Sequence, residues 1–175
     1  MKWCNHSLIA GAVAVAADAP IAGLVGVILG SVFPDRIDAT LSIGSEHIFH
    51  RIHRGASHSP WLYLLPYLGI FFLHSHLPFQ LGIFMIWFLI GALAHVATDM
   101  LTPGGVPYLP HSIKKKISLR LFKTGSYAEY FFAWAFAALL LGVGLYRLQV
   151  TGHHHLLALA DITGQLSQVR NIFLN

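Results

Sequence analysis

Twelve histidines stand against seven carboxylates in this chain of 175 residues. Histidine is the commonest metal ligand and the usual general base near neutral pH. His95 and Asp99 are four apart at the end of an apolar stretch, and on a helix that spacing puts both on one face. Such a pair can hold a metal through two ligands, on the logic of the helical HExxH motif. It can equally be a hydrogen bond between two half-buried polar groups. Asp35 and Asp38, in Pro34-Asp35-Arg36-Ile37-Asp38, share one face of a turn and offer hard oxygens to zinc, manganese or magnesium. Their other reading is a helix end with solvated charges. In His53-Arg54-Gly55-Ala56-Ser57-His58-Ser59, His58 is a further ligand candidate, and Arg54 suits a bidentate grip on a phosphate or carboxylate. His47, His50 and His53 recur at helical spacing and read as an interfacial stripe; His58 ranks above His53, and both above the other two. His6, His111 and Glu129 complete the set. Glu129 opens the last apolar stretch, as a general base or as a favourable partner of a helix N-terminus. His74, His76 and His153 to His155 fall at the opposite end and read as incidental.

The elements that must position these residues follow from composition. The chain is 55% hydrophobic and 10% charged, with mean hydropathy +0.63, whereas soluble domains carry about 25% charged residues. That excludes a soluble enzyme or nucleic-acid-binding module, and disorder as well. The net charge is only +4, and the basic residues flank apolar spans, so the partner expected is the lipid bilayer and not nucleic acid. One cysteine, Cys4, rules out a disulfide framework or a Cys-rich zinc site. The fold expected is an all-α integral membrane helical bundle. It forms a single domain over residues 1–175, with an amphipathic C-terminal tail at 153–175.

About three full spans plus an N-terminal helical hairpin are expected, or four spans. The doubt lies in residues 8–33. That stretch is long enough to cross a bilayer, but Asp18-Ala19-Pro20 interrupts it. It is either a hairpin of residues 7–17 and 21–33 or one kinked span. A signal peptide is a third reading, disfavoured because the apolar stretch runs on past Pro20. The other apolar stretches are 61–73, 79–101 and 128–150. Gly26 and Gly30 form a GxxxG, a helix-packing signal. Lys2, Arg36, Arg51, Arg54, Lys114, Lys115, Lys116, Arg120 and Lys123 fall on one side, against Arg147 and Arg170 on the other. Polar segments 34–60 and 102–127 are therefore expected to be cytoplasmic.

Separate apolar-to-polar junctions thus bring Asp35, Asp38, His95, Asp99 and Glu129 to one membrane face, and the hairpin reading adds His6. Such groups at buried helix ends are costly unless paired or metal-bound.

At this point the residues resemble a known family. His6, Phe33-Pro34-Asp35-Arg36-Ile37-Asp38, the segment from His53 to Ser59, Gly91 to Asp99, and Leu101-Thr102-Pro103-Gly104-Gly105-Val106-Pro107 are similar, in order, to the YdjM-like inner-membrane metal-dependent hydrolases. The resemblance implies a distant kinship with the zinc-dependent phospholipase C and P1-type nuclease group. It gives His6, Asp35, His95 and Asp99 the metal roles, with His58 a further candidate. Those enzymes also use a mature N-terminal amino group as a ligand, and a histidine four residues before the glutamate. Here Gly125 stands four before Glu129, so one or two divalent ions, zinc by expectation, are implied rather than three.

The expectation is a hydrolase of the inner membrane, acting on a phosphoester or lipid phosphoester at the cytoplasmic face. Asp38 or Glu129 would be its general base, and Arg54 would neutralise transition-state charge. A non-catalytic, metal-binding structural protein is the alternative. A transporter fits less well, since it needs ionisable residues near the midplane, where the sequence places mainly Asp18.

Overall fold

The computed structural model describes residues 1–73, 76–110 and 115–151. The expected tail at 153–175, with His153 to His155, lies outside these, as do His74, His111 and Lys114. The described chain is helical apart from one short ladder. Its elements are α1 (Trp3–Ala16), α2 (Ile21–Leu41), α3 (Glu46–Ile52), a 3-10 turn (Ala56–His58), α4 (Trp61–Leu73), α5 (Phe79–Met100) and α6 (Tyr127–Thr151). Strands β1 (Val106–Pro107) and β2 (Lys116–Ile117) pair antiparallel, Val106 opposite Ile117.

The N-terminal stretch is two helices, not one kinked span. Asp18 takes a left-handed φ of 56°, the Ala19 N–H reaches back to the Ala14 carbonyl at 2.9 Å, and Pro20 precedes α2 with the fixed φ that suits a helix start. The chain reverses there, so Ser7 on α1 meets Ser31 on α2, Oγ to Oγ at 3.3 Å. The second arm does not stop at residue 33, as the apolar run suggested. It continues through Pro34 to Leu41. Asp35 and Asp38 therefore lie on a helix, both buried, and not on a solvated helix end.

Close contact of α2 with α5 forms the centre of the fold. A Cβ at Gly30 would sit 1.9 Å from the Phe88 carbonyl oxygen, and one at Gly91 would sit 2.1 Å from that of Val27. Only glycine lets these backbones approach so closely, which is the use of the GxxxG pattern. Around the seam, Tyr63, Leu89, Ala92, Val96 and Val106 form one buried cluster, and Ala10, Ala14, Ala19 and Val27 another. Helix α1 lies between α2 and α6, where Met1, Ile9, Phe122 and Ala133 pack together.

Among the described residues two helices are long and apolar enough to cross a membrane, Phe79–Met100 and Tyr127–Val150. The expected count of three or four full spans goes beyond these two. Helix α4 has 13 residues and α1 has 14; at 1.5 Å per residue each covers roughly 20 Å, short of a hydrocarbon core of about 30 Å.

Candidate metal centre

Four elements converge on one point at the C-terminal end of α5. Helix α5 presents His95 and Asp99, α2 presents Asp35, α1 presents His6 and the 3-10 turn presents His58. All five are between 0% and 3% exposed. The rings of His6 and His95 stack with centroids 3.8 Å apart. The 3-10 turn is held by Tyr63, whose hydroxyl donates to the Ser57 carbonyl at 2.6 Å. Arg54, just before it, takes a left-handed φ of 58°, a conformation that costs a non-glycine residue energy and is held by its surroundings.

Hydrogen bonds at Nδ1 orient the three imidazoles. His95 Nδ1 lies 2.6 Å from the Ser31 carbonyl, which can only accept. His6 Nδ1 lies 2.8 Å from Thr98 Oγ1, whose own hydroxyl donates to the Ala94 and His95 carbonyls at 2.9 Å. His58 Nδ1 lies 3.0 Å from Ser57 Oγ, whose hydroxyl donates to Asp38 Oδ1. Nδ1 of each ring is thus turned to an oxygen and Nε2 to the cluster, where a neutral ring with its hydrogen on Nδ1 offers a lone pair. Burial holds the His58 pKa below the ordinary histidine value, with Asp35 acting in the opposite sense, so this ring is neutral at pH 7.

Those lone pairs face one another and the carboxylates. His58 Nε2 is 3.2 Å from His95 Nε2 and 3.2 Å from Asp35 Oδ1. His95 Nε2 is 3.6 Å from Asp35 Oδ1 and 3.8 Å from Asp99 Oδ2, and His6 Nε2 is 3.5 Å from Asp99 Oδ1. With hydrogen on Nδ1, neutral imidazoles here turn acceptors towards the carboxylates. His6 Nε2 and Asp35 Oδ1 are fully buried without a hydrogen-bond partner, an arrangement that costs energy unless a cation fills it. Two groups have the reach of a metal site: His6 with His95 and Asp99, and Asp35 with His53 and His58, each with ligand atoms within 4.8 Å of one another. Two imidazoles and a carboxylate are a common zinc set, and the Nδ1 partners supply the outer hydrogen bonds that orient such ligands. The residues fit a divalent metal.

Asp38 and Arg54 border the cluster. Asp38 accepts from Ser57, from the Arg54 backbone N–H at 3.2 Å, and lies 3.2 Å from His53 Nδ1. The Arg54 guanidinium reaches Asp99 Oδ1 at 3.0 Å and Thr102 Oγ1 at 2.6 Å. Gly104 leaves it room, for a Cβ there would lie 2.2 Å from Arg54 Nη1. Glu129 stands apart. Its Oε1 accepts from the Lys2 N–H and from Asn5 Nδ2, each at 2.7 Å, and its Oε2 accepts from the Gly125 N–H at 2.7 Å. Of the histidine stripe, His47 and His50 are exposed, while His53 turns inward to Asp35 and Asp38.

Sequence reasoning did not find the residues that orient these groups: Asn5, Ser31, Ser57, Thr98 and Thr102. Thr98 and Thr102 sit one helical turn from His95 and Asp99 respectively, and that spacing was the available signal. The buried amino group of Met1, 2.5 Å from Asp99 Oδ1, also joins the cluster.

The family model described as YdjM inner membrane protein matches residues 1–160. The chain belongs to that family. No curated protein and no solved structure matches it.

Proposed function

We propose that the chain is a membrane-embedded, metal-dependent hydrolase that acts on a phosphoester, or a lipid phosphoester, at the cytoplasmic face of the inner membrane. The observation that carries this reading is the convergence of three buried imidazole Nε2 atoms on Asp35 and Asp99, with His6 Nε2 and Asp35 Oδ1 left without a hydrogen-bond partner. A divalent metal, zinc by ligand type, would lower the pKa of a water molecule there and polarise the scissile ester. His6, His95 and Asp99 would hold one ion, and Asp35, His53 and His58 a second. Asp38 is the better placed of the two base candidates, because it adjoins His53 and His58. Glu129 already spends both oxygens on three N–H donors. Arg54 keeps a fixed positive charge beside Asp99, where it can stabilise negative charge developing on a phosphoryl group.

The reaction is tested on protein in nanodiscs with soluble and lipid phosphoesters, after chelation and after zinc is restored. Turnover should vanish with the chelator and return with zinc. Asp38→Asn should lower kcat by about 10²-fold to 10⁴-fold, the range of a lost general base, with metal content unchanged. A zinc-replete protein that turns over none of these esters would instead be a coordinatively saturated, non-catalytic metal protein.

A further inference from the structure

Two cavities flank the core, and they differ in chemistry. One, of about 440 Å³, lies between α4 and α5 and is lined by apolar side chains and Gly69 alone. It has no group that could orient a ligand. The other, of about 620 Å³, opens between the last turns of α2 and the α3–α4 connection. That volume is typical of a small-molecule site. Its wall carries Asp38 and Ser57 together with Leu41, Ile52 and Leu62, and Arg51 supplies a cation.

The groove is built at the edge of the metal cluster. Ser57 Oγ, on its wall, is 3.0 Å from His58 Nδ1, and His58 Nε2 is 3.2 Å from Asp35. Away from Asp38 and Ser57, Leu41 and Leu62 are 62% and 42% exposed. They lie at the end of the molecule where α5 leaves its apolar span. A ligand that fills such a groove needs a hydrocarbon chain for the leucine and isoleucine wall and an anionic group for Arg51. A free phosphate lacks the first, and a neutral hydrocarbon has no use for the second.

We propose that this groove binds the alkyl or acyl chain of an anionic amphiphile, with its head group at Arg51. As a substrate site it rests on the hydrolase reading above and names the lipid phosphoester as its class. The groove selects its ligand by chain and charge together. Inorganic phosphate alone should not occupy it, and its occupancy does not require metal.

The test uses dodecyl phosphate with a diazirine at the chain end, photo-crosslinked to the full-length protein in phosphatidylcholine nanodiscs, with crosslinked residues located by peptide mass spectrometry. Crosslinks should fall on residues 37–41, 52 and 62. Unlabelled dodecyl phosphate should compete, and inorganic phosphate should not. Ala56→Trp and Leu62→Trp, which fill the groove without touching a candidate ligand, should weaken labelling at least about tenfold, a factor worth 1.4 kcal/mol. Arg51→Gln should weaken dodecyl phosphate by a few-fold and leave a dodecanol analogue unchanged. Metal content measured on the same samples separates the two claims. Groove crosslinks on protein that binds no metal would sink the hydrolase reading and keep the lipid groove. Metal-loaded protein whose crosslinks scatter over α6 and resist both tryptophan substitutions would overturn the groove.

Discussion

Two buried carboxylate sites lie at the same end of this molecule. At the start of α6, Glu129 is fully enclosed, and three N–H donors at 2.7 Å fill its oxygens. At the end of α5, Asp35 and Asp99 are equally enclosed; Asp99 Oδ1 pairs with Met1 and Arg54, but Asp35 Oδ1 has no hydrogen-bond partner. Burial is the same in both places. What differs is whether the fold completes the hydrogen bonding by itself. Glu129 is a finished clamp that ties Lys2, Asn5 and Gly125 together. The α5 cluster is left incomplete, and a cation completes it. A buried carboxylate is therefore not in itself a site; unmet lone pairs that converge on one point are.

The contrast breaks most sharply under substitution of a cluster histidine. His58→Ala should reduce zinc affinity by more than about 10²-fold, beyond the 10-fold to 100-fold typical of outer hydrogen-bond partners, as read by competition with a chelating dye. Glu129→Ala should act on the fold instead. It strands the buried Asn5 amide, at about 1–3 kcal/mol, and the partly buried Lys2 and Gly125 N–H groups, so the thermal midpoint of the detergent-solubilised protein should drop by several degrees or more. Glu129→Gln should recover part of that loss, because the amide oxygen still accepts. If Glu129→Ala instead removed metal and left stability untouched, the two regions would not differ as argued.

A smaller effect separates ligand from support. Thr98→Val removes the acceptor that holds His6 Nδ1, and zinc affinity should fall about tenfold with the helical circular dichroism unchanged. The smallest effect is in pH. Burial lowers the His58 pKa in the folded state. The metal-free protein therefore binds fewer protons here than the unfolded chain once pH falls below about 6.5. Stability from this residue is present above that pH and is lost as pH falls towards the folded value. His58→Gln should flatten that decline in thermal midpoints recorded between pH 7 and pH 5.

The sequence was legible where spacing alone decides geometry. His95 and Asp99 share a face because they are four apart on an uninterrupted apolar helix. The reversal at Asp18 was readable because proline and a charge interrupt an apolar run. The end of α2 was not readable. Asp35 and Asp38 read either as metal-binding oxygens on a turn or as a solvated helix end, but α2 runs on past Pro34 and buries both carboxylates. Burial there depends on partners far along the chain, His53, Ser57 and His58, which local pattern does not announce. The role of Glu129 was hidden for the same reason. Its partners Lys2 and Asn5 lie more than 120 residues away, so the residue could be placed at a helix start but not distinguished as base, ligand or clamp.

The central claim, that the α5 cluster is a metal centre and Glu129 is not part of it, is tested most directly by metal content. Elemental mass spectrometry of the purified protein after zinc reconstitution should compare the wild type with the double variant His95→Ala/Asp99→Ala and with Glu129→Gln. The account predicts one or two equivalents of metal in the wild type and in Glu129→Gln, and none in the double variant. Equal metal in all three, or none in the wild type, would contradict it and leave the histidines and aspartates as a polar packing network.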